Sequence, residues 1–574
     1  MNEETRKEFG AVCTPSQVAK FLVKWAIREP TDTVLDAGTG EGIFIQESIN
    51  RLRELGAAES QICSQVFGVE YDSETYYKML WNLTKSIKCV SKNLLNADFF
   101  DVSPEKHLGS YAVTNLTFPL VVASVGNPPY VERQRLKDLG KIRKKVLSSP
   151  EELDWLSSLT DVYGYFLIHL TRFLKPNGRL ALIVSDTWLS MRFGEKLKQY
   201  LLSKFKIKAI VGFRERVFPE ALVRTILLLI EKGKNKEIEE NQTNFIELRN
   251  TLELDTLSEN FSNVRERKNG IFSLPQRELN PSEPWSIYLK APKTYFSIAE
   301  KSLITSLSSL ADSAIGIQTL AKNFYILEES KLKKLKLERS CFKRVAVSPR
   351  NTPLVIEKED DAGYFILYCD KPKEELRGTS LLKYIEEAEN KEITIRGKTE
   401  KVTGINNIPR LMKARRRPWY NLKSNLERWD RAQILLPRRA YENYACYWNK
   451  AKVVENENFI RIYPRNSGHI LPLLAFLNSS LGEFLVRVQA NIYGGGVYDL
   501  RPDDVKRLKV LDLSKLKDSE LNDLSIAYEE FLKNRDRMRI DRIVFGILQM
   551  KEQEISEVLE KLSELRQLSL SSKG

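Results

Sequence analysis

Asn127-Pro128-Pro129-Tyr130 is the stretch whose residue types and order could do chemistry most directly. The Asn side-chain oxygen and the backbone carbonyl of the next residue can converge as two acceptors on one amino group. Two prolines in a row fix φ at both positions and bring no competing N–H. The product is a stiff loop of acceptors that ends in an aromatic ring. Such a loop suits an exocyclic NH2 on a flat ring, held edge-on by Asn127 and Pro128 and face-on by Tyr130. The apolar run Leu120-Val121-Val122-Ala123-Ser124-Val125 before it predicts a buried strand, which sets the loop at a strand's carboxyl end.

Elements upstream must hold whatever reacts with that amine. Thr14-Pro15-Ser16 opens a helix: Thr14 can cap it, Pro15 suits its first position, and Val18, Phe21, Leu22 and Trp25 share one face. A strand then enters Asp36-Ala37-Gly38-Thr39-Gly40-Glu41-Gly42, and a helix from Ile43 to Leu55 follows. Strand, Gly-rich turn and helix make a nucleotide-type cradle, because backbone amides can approach a ligand with no Cβ in the way. The spacing departs from the dinucleotide fingerprint, whose third glycine would fall at Ile43. Asp36 before the turn matches a positive group, so a sulfonium or ammonium ligand fits better than NAD. A second strand, Val66–Val69, ends in Glu70-Tyr71, an acid placed for a ribose diol and a ring placed for a base. Asn96-Ala97-Asp98-Phe99-Phe100 sets a third carboxylate beside aromatics, suited to an adenine amino group.

The rest of the chain supplies charge. Its 574 residues are 42% hydrophobic and 29% charged, enough for two to four domains, and the net charge of +14 points to a polyanionic partner. After Tyr130, residues 131–145 carry seven Lys/Arg, among them Arg133 and Arg135, against two Asp/Glu, a candidate flap for phosphates. Asp161 to Leu174 predicts an amphipathic helix, and residues 232–242, rich in Lys, Glu and Asn, predict a linker. Between 401 and 450 there are 12 Lys/Arg against 3 Asp/Glu. There Lys413-Ala414-Arg415-Arg416-Arg417-Pro418-Trp419 and Arg438-Arg439 interleave arginines with aromatics, a pattern for phosphate contact with base-edge readout. Residues 516–567 predict two packing helices. Six scattered cysteines without C-x-x-C and three histidines leave no sequence-visible metal site. No apolar run approaches the roughly 20 residues of a membrane span, and the start has no apolar signal region, so the expectation is a cytoplasmic protein with no membrane partner.

Taken in order, these motifs resemble the γ-order N6-adenine DNA methyltransferases of the TaqI-like type, over nearly the whole chain and most specifically in its first 230 residues. The resemblance implies an α/β, Rossmann-like S-adenosylmethionine-dependent domain at 1–235, then a mixed α+β target-recognition domain with helical C-terminal tail at 243–574. It implies that Thr14 touches the methionine part of S-adenosylmethionine and that Asp36, Ala37, Gly38, Thr39 and Gly40 form the turn beneath it. Glu70 would bind the ribose, Tyr71 would pack on the cofactor's adenine, and Asp98 with Phe99 would read that adenine. Asn127, Pro128 and Tyr130 would hold the target adenine, with Pro129 bordering base and cofactor alike. The Val217-Phe218-Pro219 step is similar to a later motif whose Phe stacks on the extruded base, and Ala490–Leu500, with Tyr493, resembles the Gly-rich turn of the recognition domains.

The expected activity is methyl transfer to adenine N6 in double-stranded DNA at a defined sequence, by a metal-independent monomer. A restriction endonuclease acting on the same site, without a stable complex, is the expected companion. RNA and protein glutamine remain alternative substrates of such a loop, as does a place in a larger restriction or defence complex. A glutamine methyltransferase leaves the basic second half without a task. Cytosine C5 chemistry is disfavoured because no Pro-Cys nucleophile is present, whereas cytosine N4 also offers an exocyclic amine. A fused nuclease has no expected place, since the first motif begins near residue 14.

Overall fold

The computed structural model describes residues 13–568 except 85–87, 105–116, 130–138, 148–151, 153, 157–159, 161, 219–223, 259–260, 262–270, 395–400, 424–425, 427–430, 441–443 and 494–496. The chain forms two compact units, Met1–Pro292 and Lys293–Gly574.

The first unit is built on one sheet whose strands are β1 Val34–Asp36, β2 Val66–Glu70, β3 Leu94–Asn96, β4 Val121–Gly126, β5 Leu174–Ser185, β6 Phe205–Phe213, β7 Thr225–Lys232, β8 Gln242–Leu248 and β9 Ile271–Pro275. Their spatial order is β9-β8-β6-β7-β5-β4-β1-β2-β3. Strands β3, β2, β1, β4 and β5 are parallel, while β7 runs antiparallel to both β5 and β6. From β1 the chain winds outward to β3, then crosses back to place β4 on the other side of β1. Connections leaving β1 and β4 therefore diverge, and a crevice opens outside their carboxyl ends, where open α/β sheets bind ligands.

Helices α1 Ser16–Ala26, α2 Ile43–Glu54, α3 Ser73–Thr84, α4 Val162–Thr171 and α5 Gly194–Lys204 accompany the sheet. Of the apolar face read in α1, Val18, Leu22 and Trp25 are at 1% exposure or less, as are Ala19 and Val23, while Phe21 is partly buried. They share one core with Ala123 and Val125 of β4 and Ala181 and Ile183 of β5. At roughly 1.5–3 kcal/mol for each large apolar side chain buried, α1 is fixed firmly beside β4. Helix α4 departs from the amphipathic expectation. All of its residues are buried, as a helix apolar all round requires.

The predicted linker is instead part of the fold. A short helix, Asn235–Glu239, leads into β8, which pairs in parallel with β6 from Asn244↔Ala209 to Leu248↔Phe213. Asn241 Nδ2 donates to Ile207 O at 2.9 Å and to Gln276 Oε1 at 2.8 Å, and Gln276 Nε2 donates to Phe205 O at 2.8 Å. These buried amides close the sheet edge, so the first unit runs on to Pro292 and the expected boundary at 235–243 falls inside it. A polar surface helix between two strands has a linker's composition, which is why the two read alike.

The second unit holds two four-stranded sheets. One has the order Ala311–Ile315, Phe459–Pro464, Ile434–Pro437, Tyr447–Trp448; the other Ile326–Glu328, Tyr364–Leu367, Phe342–Ala346, Val454–Glu455. Helix Ser480–Gln489 is buried along its whole length, and Ile470–Asn478 at every residue but Leu471. Three tail helices follow rather than two, Asp518–Asn534, Met538–Ile547 and Glu552–Leu568. Among the described residues no single helix is long and apolar enough to cross a membrane.

Candidate active site

Three strand ends converge on the crevice. Asp36 closes β1, Glu70 closes β2, and Asn127 follows β4. Asp36, Gly38, Asn127, Pro128, Phe166 and Leu182 line one narrow cleft. The Gly-rich turn lies across β2: Thr39 N donates to Val69 O at 3.1 Å, and Gly40 N donates to Glu70 Oε2 at 2.7 Å. Gly42, at φ +89°, opens α2 in a left-handed conformation, and a Cβ there would stand 2.7 Å from Met79. Gly126 matters for closeness, because a Cβ on it would stand 2.9 Å from Asp36 Oδ1.

Asp36 is 1% exposed, and neither carboxylate oxygen has a hydrogen-bond partner among the described residues. Burial, with a smaller push from the charge of Glu70, raises its pKa well above the ordinary carboxylate value. Thr39 Oγ1 is likewise buried without a hydrogen-bond partner among the described residues. Buried polar atoms are almost always satisfied, so an acid and a hydroxyl left unsatisfied on one turn are what a polar, positively charged ligand would complete. Glu70 is engaged differently: it also accepts from Asp72 N at 2.9 Å. A carboxylate offers about four lone-pair sites, so two bonds leave capacity for hydroxyl donors. Burial nonetheless pushes its pKa up.

The other expected residues separate into those at the crevice and those elsewhere. Thr14 is buried and its Oγ1 accepts from Asn127 Nδ2 at 3.2 Å, which brings two residues 113 apart in sequence together. The Tyr71 side chain is 62% exposed at the end of β2. Asp98 caps the turn Phe99–Asp101 by accepting from Phe100 N at 3.0 Å, and burial raises its pKa. The Phe99 ring is 4% exposed, with ring centroids 4.8 Å from Phe166 and 4.7 Å from His169, so its side chain packs in the core beside the turn that Asp98 caps. Phe218 is corrected. At 3% exposure it belongs to the core that holds Val18 and Leu22, because Arg214 and Glu215 extend the pairing of β6 toward residues 248–249 and draw the stretch inward. Tyr130, Arg133 and Arg135 lie outside the described residues. Phe166 and Leu182 were missed; their sole signal is apolarity, shared with the rest of the core.

In the second unit Lys413, Arg415 and Arg417 are exposed. Arg416 is corrected, because its guanidinium donates to Thr319 O and Gln318 O at 3.0 Å each. Trp419 is corrected too: Nε1 donates to Glu389 Oε1 at 2.7 Å and its ring packs 4.8 Å from Phe324. Arg438 and Arg439 share the carboxylate of Asp499 at 3.3 and 3.2 Å, with the Arg439 side chain still 55% exposed. Tyr493 ends the strand Asn491–Tyr493, opposite Val497.

Two sequence families match the chain in tandem: N-6 DNA Methylase over residues 1–269, and the C-terminal domain of Type II methyltransferase M.Eco57I over residues 285–545. Among curated proteins the chain is similar to Type II methyltransferase M.AccI of Acinetobacter calcoaceticus, 22% identical over 568 residues and covering 94% of each chain. It is also similar to Type II methyltransferase M.BanIII of Aneurinibacillus aneurinilyticus, 24% identical over 353 residues, 56% of this chain and 58% of that one. In fold it resembles the Type IIL restriction-modification enzyme MmeI, solved in complex with DNA, with a TM-score of 0.56, 14% identity, and coverage of 99% of this chain and 77% of MmeI.

Proposed function

We propose that the chain, which matches N-6 DNA Methylase and the M.Eco57I C-terminal domain in tandem, is a γ-order, TaqI-like adenine methyltransferase of a restriction–modification system, and from that premise we assign the residues that hold the cofactor, the base and the DNA. The observation that carries the proposal is the buried, unsatisfied carboxylate of Asp36 in the same cleft as Asn127 and Pro128. When bound, S-adenosylmethionine supplies a methyl group activated on a positively charged sulfur. Asp36 gives that positive ligand its counter-charge, with Thr39 Oγ1 as a further partner on the turn. Glu70 accepts from the ribose hydroxyls, Tyr71 lies on the cofactor's adenine, and Asp98 accepts from its amino group.

The target adenine must leave the duplex to reach the end of β4. Asn127 Oδ1 and the Pro128 carbonyl then accept from N6, Tyr130 stacks on the ring, and the amine is held with its lone pair exposed. Most of the rate comes from this alignment and from fixed dipoles around the reacting atoms. Lys413, Arg415, Arg417 and Arg439 contact DNA in the second unit, and Arg133 and Arg135 grip phosphates beside the loop. We propose that the enzyme works as a monomer on double-stranded DNA, beside a restriction endonuclease that reads the same sequence.

Incubation of unmethylated DNA with methyl-labelled S-adenosylmethionine, followed by digestion to nucleosides, tests the reading. Label is expected in N6-methyladenine at one short sequence. Label in N4-methylcytosine, or transfer to RNA or protein in place of DNA, would overturn it.

A further inference from the structure

We propose that Thr14 is a positioning residue for the catalytic amide: its hydroxyl tethers the Asn127 side chain where it meets the target amine. This rests on the reading of Asn127 given above. A side-chain amide has one end that donates and one that accepts, and only the accepting end can hold an N6 amine. In the structure the donating end is engaged, with Asn127 Nδ2 giving its hydrogen to Thr14 Oγ1 at 3.2 Å. That bond directs Oδ1 to the opposite side. Without that tether the amide is free to swing away from the base, and the alignment of Oδ1 on the NH2 is lost.

Thr14 is suited to this because it cannot drift. It precedes Pro15, which restricts it to extended backbone, and Pro15 is the N-cap residue of α1, at φ −59°. Helix α1 is anchored in turn by Val18, Leu22, Val23 and Trp25, all at 1% exposure or less, in the core that contains Val125 of β4. Hydroxyl and amide are therefore set by one packed core, although 113 residues separate them. Thr14 is itself only 9% exposed. The resemblance assigned Thr14 to the methionine part of the cofactor; the hydrogen bond gives it work on the other substrate.

The two assignments separate by experiment. Thr14→Val keeps shape and β-branching but removes the hydroxyl, and Thr14→Ser keeps the hydroxyl. Single-turnover methylation of unmethylated DNA at saturating S-adenosylmethionine should fall roughly three- to tenfold in Thr14→Val, the worth of one neutral hydrogen bond. The dissociation constant for S-adenosylmethionine, measured calorimetrically, should stay within about twofold, and Thr14→Ser should restore most of the rate. Should Thr14→Val prove unstable, Thr14→Ala gives the same comparison against Thr14→Ser. A valine variant with intact single-turnover rate and weakened cofactor binding makes Thr14 a cofactor contact and overturns the proposal, as does a serine variant no better than valine. Failure of the wild type to methylate adenine would instead sink the reading of the loop itself.

Discussion

Asp36 in the first unit and Glu483 in the second are both carboxylates with 1% exposure, and the protein treats them in opposite ways. Glu483 accepts from Arg487 Nε at 2.7 Å and from Arg566 Nη2 at 2.6 Å, and it also meets Arg537. Burial alone would raise its pKa, but the bond from Arg566 and the charges of Arg487 and Arg537 more than offset this and hold it below the ordinary value. Asp36 receives no hydrogen bond from any described residue, and burial leaves its pKa well above that value. An ion buried without a partner is costly, and a fold normally neutralises it internally. The difference teaches what each acid is for. Glu483 ties the tail helices to Ser480–Gln489, whereas Asp36 has no hydrogen-bond partner among the described residues and is the place proposed above for the positive charge of the cofactor.

The sharpest way to break the comparison is at the crevice itself. Asn127→Ala should lower the methylation rate by about 10²–10³ or more, while melting temperature and affinity for S-adenosylmethionine stay near wild type. A variant that keeps most of its rate removes the loop from the chemistry. At the other pole, Glu483→Gln should remove the charge that Arg487, which is fully buried, meets at 2.7 Å. A loss of roughly 3–5 kcal/mol is expected for breaking such a buried pair, read by chemical denaturation of the whole chain. Because the folded-state pKa of Glu483 is depressed, its contribution is present above the unfolded value and is lost as pH falls through the folded one. An unchanged denaturation midpoint would make the cluster decorative.

Asp36 must show the reverse sign. Its folded-state pKa is raised, so in the free protein its stabilising contribution is present below the unfolded value and is lost as pH rises through the folded one. Affinity for a positively charged cofactor should rise with pH over the same window, since the ionised form is the one that binds. Asp36→Asn should flatten both profiles, raise the melting temperature of the free protein at neutral pH, and weaken cofactor binding. Calorimetric titration at several pH values checks it. A wild-type affinity that does not vary with pH, or that Asp36→Asn leaves unchanged, would sever the acid from the ligand.

What the sequence made legible follows from how local each signal is. The loop after β4, the turn after β1 and the acid after β2 are contiguous motifs at strand ends, so their places in the fold followed from hydrophobic runs and glycines. Phe218 was misplaced because an aromatic beside a proline has the same local pattern whether its ring points outward or into a core. Arg416 failed for a related reason. Its neighbours are exposed, but its guanidinium caps the carbonyls of Gln318 and Thr319, and nothing near residue 416 encodes those partners. The meeting of Thr14 with Asn127 depends on α1 packing beside β4, a tertiary fact without a local signature.

That failure yields the smallest expected effect. If the run from Lys413 to Arg417 meets phosphate, its exposed members are best placed to release counterions, whereas Arg416 is held against two backbone carbonyls. Converting Arg415 and Arg417 to Gln should reduce the slope of log binding constant against log salt by up to about 0.9 for each phosphate no longer neutralised, with little change in folding. Arg416→Gln should leave that slope unchanged and lower thermal stability, because two backbone carbonyls lose a charged donor. Binding isotherms on one duplex at several salt concentrations separate the cases. Equal slopes for all three proteins would mean that the whole run is a solvated face, and the phosphate-binding side chains would then be sought near Arg439, whose side chain is exposed although it shares Asp499.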